Sequence, residues 1–200
     1  MKLLRKVPEA AMVAAFLKAE FSSPRFSGDL KKTMRSLGAA EVVITHPDTT
    51  DMLENDLRAR VLGAYRGYQQ DREMFDGVPD ALIWHEAEMT REEIGDLRYV
   101  DYSYWNELTD NTHLVKDGVK NIQAGKMIFG VAHDRFWTVT DRILRGEHDF
   151  EPIILWGRDS GSPLEILEGH LRATAFGLAG DKAPGTIHVL VGLVNASRGV

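Results

Sequence analysis

The sequence has no cysteine and no long apolar run. Without cysteine, the 200-residue chain has no disulfide, no thiolate metal ligand and no cysteine nucleophile, which permits a reducing compartment. No stretch approaches the length of a membrane-spanning helix, and the basic start lacks the hydrophobic centre of a secretory signal. We therefore expect a cytoplasmic protein with no membrane partner.

Basic residues are scarce relative to acidic ones. The chain has 24 Lys and Arg against 30 Asp and Glu, which gives a formal net charge of −6. Broad nucleic-acid binding needs a basic face that displaces counterions, so this charge argues against non-specific binding to DNA or RNA. With 44% hydrophobic and 27% charged residues, the composition is that of a globular protein with a full core.

The first 78 residues have a helical pattern. Apolar residues recur at helical spacing over residues 8–21, 29–37 and 51–68, and Thr50 or Asp51 is suited to cap the third helix. The buried stripe of that helix is predicted to consist of Leu53, Leu57, Val61, Leu62 and Tyr65. The short apolar run 42–44 is predicted to be a strand before the turn His46-Pro47-Asp48.

Charged residues of this region favour a structural interpretation. Arg58, Arg60 and Arg66 alternate with acidic residues, which predicts a solvated helix face. His46 and Asp48 have metal-binding side chains, but a proline turn between strand and helix explains them equally well. Since no second ligand pair follows at a recognisable spacing, we predict no metal site.

From residue 79 the pattern changes to strands and helices in alternation. We predict strands over residues 81–88, 151–156, 163–167 and 186–193, and helices over 115–123, 131–144 and 170–178. Thr90 is followed by acidic residues and predicts a further helix start. The inward residues are predicted to be Phe136, Val139, Ile143 and Leu144 in one helix and Leu171, Ala175 and Leu178 in another.

Three other groups in this region have alternative interpretations. The aromatic stretch 99–108 is either a core seam with hydrogen-bonding ends or a platform for a flat ligand such as a base. His85 and Glu86 resemble an acid–base pair, but adjacent strand residues point to opposite faces. The cluster Glu147-His148-Asp149 has the side chains of a ligand cluster, but its place between a helix end and a strand favours a solvated loop.

The most informative segment is the turn from the strand at 163–167 into the helix at 170–178. It reads Glu168-Gly169-His170-Leu171-Arg172, and the backbone N–H groups at such a helix start attract an anion. Arg172 adds a planar cation that grips two oxygens. The structural alternative is a plain connection in which Glu168 neutralises Arg172. Further candidates for anion contacts are Arg158 and Asp159 in the preceding turn and His113.

This turn resembles the Asp/Glu-Gly-x-His-Arg segment of the ParB/sulfiredoxin-like superfamily, and its flanking strands fall where such domains place theirs. In that superfamily the segment lies against nucleotide phosphates, and members include sulfiredoxins, free-serine kinases and CTP-hydrolysing partition proteins. The resemblance implies that Gly169 allows close backbone approach and that His170 and Arg172 face the phosphates.

Three departures narrow the implied activity. Leu171 stands where the superfamily has a His directly before the Arg, and the His is one position earlier at His170. Sulfiredoxin activity is excluded because it needs a cysteine. No helix-turn-helix pattern follows the last strand, so sequence-specific DNA binding is not expected.

These observations combine into one prediction. We expect an α+β fold, with a small mixed sheet and packed helices (ParB/sulfiredoxin-like) over residues 79–200, preceded by a helical region over 1–78. The function expected is nucleotide binding, with ATP or CTP and Mg²⁺ as ligands and phosphoryl transfer or NTP hydrolysis as the activity. Glu168, His170 and Arg172 are the candidate catalytic residues, with Glu168 as a general base or Mg²⁺ contact. The alternative is a non-catalytic regulatory or protein-interaction module. The sequence leaves open whether the chain forms a homodimer.

Overall fold

The computed structural model describes residues 1–147 and 150–194, which belong to two compact units. Residues Lys6–Trp84 form the helical unit, and residues Met1–Arg5 together with the chain from His85 onward form the sheet unit. The sequence pattern changes at residue 79, whereas the chain passes from one unit to the other after Trp84. Across the described ranges, no helix has both the length and the apolar character needed to cross a membrane.

The helical unit is built from four helices and a short 3₁₀ turn. These are α1 (Glu9–Phe21), α2 (Ser27–Ser36), α3 (Val42–Thr45), α4 (Met52–Arg66) and the turn Glu73–Phe75. Helix α1 contacts the other three helices and buries Met12, Phe16 and Leu17 completely. Helix α4 begins at Asp51, whose carboxylate accepts the N–H groups of two first-turn residues as predicted.

Two predictions for this unit are wrong. The run 42–44 forms helix α3 instead of a strand, with backbone bonds from Val43 and Ile44 back to residues 40 and 41. Packing of α3 against α1 therefore outweighs the strand preference of its β-branched residues. In α4, Leu53 is 83% exposed, because the first turn extends beyond the packed part of the helix, whereas Val61 and Leu62 are fully buried.

The prediction of a solvated arginine face holds for Arg60 only. The Arg60 side chain is 58% exposed and pairs with Asp56. Arg58 is completely buried, and its guanidinium donates to the carbonyls of Val43 (2.9 Å) and Asp48 (2.7 Å). It also donates to side-chain oxygens of Glu54 and Asn55. Arg66 donates to the buried carboxylate of Glu20 at 2.9 Å. Two of the three arginines are thus anchors inside the unit.

The sheet unit contains a five-stranded mixed sheet, which confirms the α+β class. Its strands are β1 (Lys2–Lys6), β2 (Leu82–Thr90), β3 (Ile153–Gly157), β4 (Glu165–Glu168) and β5 (Thr186–Val194), in the order β1-β2-β5-β3-β4. Strand β3 pairs antiparallel with β4 and parallel with β5. The helices are α5 (Arg91–Gly95), α6 (Ser103–Leu108), α7 (Val115–Gln123), α8 (Asp134–Leu144) and α9 (His170–Ala179).

Helix α9 is the centre of this unit. It contacts α5, α7, α8 and strand β3, and its buried Ala173 and Ala175 belong to the same core as Leu155, Ile166 and Val191. Three predicted details differ. Val131 precedes α8 and forms an isolated bridge with Ile128. Leu144 is 42% exposed, and the buried place on α8 is taken by Thr140, which donates to the Ala175 carbonyl at 3.2 Å. Leu171 is only partly buried.

Strand β1 has no counterpart among the sequence predictions. It lies at one edge of the sheet, and all five of its residues are exposed. Three of the five, Lys2, Arg5 and Lys6, are basic, and Arg5 pairs with Glu86 on β2. A short, basic strand is typical of a protected sheet edge and carries almost no apolar signal.

Candidate functional site

The predicted anion-binding turn lies between β4 and α9. Gly169 occupies the N-cap position of α9 with a φ of 101°, and among the described residues no side chain caps this helix start. A methyl group at Gly169 would lie 3.1 Å from the Cα of Ile153 and 3.1 Å from Nη2 of Arg172. Only glycine combines this positive φ with so close an approach to strand β3. The turn is therefore held tightly against the start of β3.

We expect Gly169→Ala to lower the free energy of unfolding by about 1–3 kcal/mol, because it adds both a strained φ and a crowded methyl group. Chemical denaturation followed by circular dichroism measures the change. The matched control is Gly185→Ala in the same unit, where a Cβ meets no atom within 4 Å. Equal stability losses in the two variants would contradict the close approach at Gly169.

Arg172 is held in place by two acceptors. Its guanidinium forms an ion pair with Glu168, one turn earlier in sequence, and donates to the carbonyl of Glu151 at 2.5 Å. The side chains of Arg172 and Glu168 are 15% and 17% exposed. This pairing corresponds to the structural alternative for the turn. Arg172 is thus pre-oriented, and an incoming anion would share it with Glu168 or displace that carboxylate.

His170 occupies a different environment. Its ring stacks with those of Tyr99 and Trp105 at interplanar angles of 13° and 15°, with the His170 and Trp105 centroids 5.3 Å apart. Nε2 of His170 is shielded from solvent and has no hydrogen-bond partner among the residues that the structure describes. Burial lowers the pKa of His170 to about 3, so the ring is neutral at pH 7. For Tyr99 and Trp105, the core-seam interpretation of the aromatic stretch is the one observed.

Helix geometry separates His170 from Arg172. Two residues correspond to about 200° around an α-helix, so their side chains leave α9 on different sides. His170 enters the aromatic stack next to Phe136, while Arg172 lies against Glu151 before β3. The structure therefore brings Glu168, Gly169 and Arg172 together and places the His170 ring elsewhere.

Two of the remaining candidates lie at the other end of β3. Arg158 and Asp159 follow the end of β3, whereas Gly169 lies against its start, and a five-residue strand separates its ends by about 13 Å. Asp159 accepts the Gly161 N–H at 2.9 Å, which lowers the pKa of its carboxyl and caps the turn. The backbone carbonyl of His113 accepts the Tyr99 N–H at 2.8 Å.

A cavity of about 280 Å³ opens beside the start of α9. Its apolar wall comes from α8, α9, strands β3 and β5 and the connecting segments, namely Ile143, Phe150, Pro152, Ile153, Phe176, Pro184 and Ile187. Its polar side chains are those of Glu147, Glu151, Arg172, Thr186 and His188. Of these five polar residues, only Arg172 and Glu147 were considered as candidates from the sequence. The others are dispersed along the chain and share no spacing from which the cavity could be recognised.

Metal-binding groups are not gathered at this cavity. Within residues 1–147 and 150–194, no group of three or more His, Asp or Glu side chains is arranged to hold a metal ion. Asp48 accepts the N–H and hydroxyl of Thr50, and His46 contacts the Thr45 hydroxyl. Glu86 is engaged by Arg5. Glu147 is paired with Arg142 and Arg145, and the other two residues of its cluster, His148 and Asp149, lie outside the described residues.

Comparison of the chain with protein-family models, with curated proteins and with solved structures gives no match.

Proposed function

We propose that this protein binds a nucleotide in the cavity beside α9, with Arg172 at the end that receives the phosphates. The observation that carries the proposal is the position of Arg172, which is one of the residues that line a largely apolar cavity. An apolar wall suits the flat face of a base, and a planar guanidinium suits phosphate oxygens. A volume of about 280 Å³ lies near the lower end of the range for small-molecule sites.

The start of α9 supports the same assignment. Within the described ranges no side chain caps its first turn, which contains Arg172 and follows Gly169 at Ile153, so the helix dipole adds to the attraction for an anion at that end. The resemblance of residues 167–175 to the ParB/sulfiredoxin-like segment points to phosphates as that anion. Mg²⁺ would arrive with the phosphates, since such ions bind through substrate oxygens and few protein carboxylates.

The ion pair between Glu168 and Arg172 favours binding without turnover. A general base or a Mg²⁺ contact needs a carboxylate that is available to water or metal, and Glu168 is engaged by Arg172. We therefore propose a regulatory, nucleotide-sensing role. Phosphoryl transfer or NTP hydrolysis is the competing activity.

The test is calorimetry with ATP, CTP and GTP, each with and without Mg²⁺. We expect at least one nucleotide to bind and Arg172→Gln to weaken it by about 10- to 100-fold, because a charge-assisted hydrogen bond contributes about 1.5–3 kcal/mol. We expect Glu168→Gln to tighten binding by up to about tenfold, because it frees Arg172 from a competing negative charge. The opposite signs of the two changes distinguish anion binding from a loss of folding.

Arg91→Gln is the matched control, since it breaks another arginine–carboxylate pair of the sheet unit, that with Asp181, and neither residue lines the cavity. Circular dichroism verifies that each variant is folded. The proposal would be contradicted if no nucleotide gave a heat of binding, or if wild type and Arg172→Gln bound with equal affinity. Release of inorganic phosphate during the titration would show that the protein hydrolyses the nucleotide, in place of the sensing role.

A further inference from the structure

Exposed apolar side chains of the sheet unit concentrate just before and along α8. Met127, Phe129 and Val131 are 64%, 67% and 49% exposed, and Trp137 and Leu144 are 39% and 42% exposed. We call these five residues the α8 face. Exposed apolar side chains that gather in one part of a protein surface are typical of interaction sites.

Helix α8 presents two distinct sides. Phe136, Thr140 and Ile143 are buried, and the helix packs against α9. Trp137 and Leu144 are seven residues apart and so lie on the same flank of the helix, about 90° around its axis from the buried residues. Asp134 stands at the first turn and Arg145 directly follows the last residue, which puts opposite charges at the two ends of the helix, on the solvent side of this flank.

The turn before α8 holds Phe129 in an unfavourable backbone conformation. Phe129 and Gly130 have φ values of 51° and 70°, and the Val131 N–H donates to the Ile128 carbonyl at 2.9 Å. These features are typical of a type I′ turn, whose first central position favours asparagine, aspartate or glycine. A bulky residue there is strained, yet its side chain gains no burial within the chain.

We propose that the α8 face joins two copies of this chain about a two-fold axis, with the two α8 helices antiparallel. Such an interface must be self-complementary. In the antiparallel arrangement, Trp137 of each copy packs on Leu144 of the other, and Asp134 approaches Arg145 of the second copy. Arg145 is 62% exposed and pairs with Glu147, and no ion pair within the described ranges engages Asp134.

The opposite charges of Asp134 and Arg145 favour a second copy of this chain as the partner. Two chains of net charge −6 repel each other, so a contact between them needs local balance of charge. The antiparallel arrangement supplies this balance twice, once at each end of the helix pair, while the apolar residues meet in the middle. Because α8 has only 11 residues, we expect a small interface and a micromolar dimer.

Sedimentation velocity from about 1 µM to about 100 µM brackets that affinity and tests the proposal. We expect the wild-type chain to shift from monomer to dimer across this range, and Trp137→Ser to weaken the dimer by about tenfold or more. Tyr102→Ser is the control, since Tyr102 is also exposed (53%) in the sheet unit but lies outside the α8 face. A monomer at every concentration, or a dimer unaffected by Trp137→Ser, would overturn the proposal.

Two further variants distinguish this arrangement from other dimers. Asp134→Arg and Arg145→Asp are each expected to weaken the dimer, and the double variant to restore it, because the swap rebuilds both ion pairs. Phe129→Asn should raise the melting temperature of the dilute monomer by about 2–4 °C and also weaken the dimer. A double variant as weak as the singles, or an unchanged dimer in Phe129→Asn, would overturn the proposed geometry.

Discussion

Replacing Arg58 by alanine is expected to lower the free energy of unfolding of the helical unit by about 3–5 kcal/mol. The side chain is fully buried and donates to two backbone carbonyls and two side-chain oxygens. Its removal leaves the carbonyls of Val43 and Asp48 without this donor and opens a cavity among α3, α4 and the turn between them. Urea denaturation followed by circular dichroism measures the loss.

Arg60→Ala is the matched control on the same helix. Arg60 forms an exposed pair with Asp56, and such pairs contribute less than about 1 kcal/mol. Arg58→Lys should fall between the two, since an ammonium group keeps the charge but lacks the planar fork that reaches several acceptors. If Arg58→Ala and Arg60→Ala cost the same, the anchoring role of Arg58 is wrong.

Stability of the sheet unit is expected to fall as the pH is lowered from about 6.5 toward 3. Burial lowers the pKa of His170 to about 3 from the ordinary value of 6.5, so between these values the unfolded chain binds a proton that the folded protein does not. The contribution of His170 is therefore complete above pH 6.5 and decreases as the pH falls. We expect a loss of about 2 kcal/mol by pH 5 and a larger loss nearer pH 3.

His170→Phe isolates this effect from the titration of carboxylates. Phenylalanine keeps a flat ring beside Trp105 and removes both the titration and the buried Nε2 atom, which lacks a partner in the described part of the chain. Denaturation curves of both proteins at pH 7 and pH 5 should differ in their pH dependence by about 2 kcal/mol. The same loss of stability in wild type and variant would show that the His170 ring is accessible to protons in the folded state.

Local signals in the sequence were sufficient for most elements. The helix predicted over residues 115–123 has those bounds in the structure as α7. Helix α5 begins after Thr90 as predicted, and Thr90 forms a capping box with Glu93. Strands β3 and β4 and the final strand were also predicted, because apolar periodicity and turn residues act over a few neighbours.

Features that depend on distant contacts could not be predicted. Val43 and Ile44 have strand preferences, but packing against α1 and the donor from Arg58 favour a helix. Arg58 itself sits among alternating charges typical of a solvated face, and only the fold reveals that the carbonyls of Val43 and Asp48 surround it. Strand β1 has too few apolar residues to signal a strand.

The candidate site was predictable only in part. The spacing located the turn at Gly169, with Glu168 and Arg172 beside it, because a strand, a glycine and a helix follow one another in sequence. The cavity next to Arg172 combines segments around Ile143, Pro152 and Thr186, and no local pattern connects them. The sequence also could not show that the His170 ring stacks with the rings of Tyr99 and Trp105.

The division of the chain has a consequence for the order of folding during synthesis. The helical unit is contiguous, so all of its residues are available once Trp84 has left the ribosome. The sheet unit is discontinuous: β1 pairs with β2, but β5, the other neighbour of β2, is synthesised later, which at about 5–20 residues per second takes about 5–20 s more. During this interval β1 forms one edge of the nascent β1–β2 pair, and its basic residues disfavour aggregation through that edge.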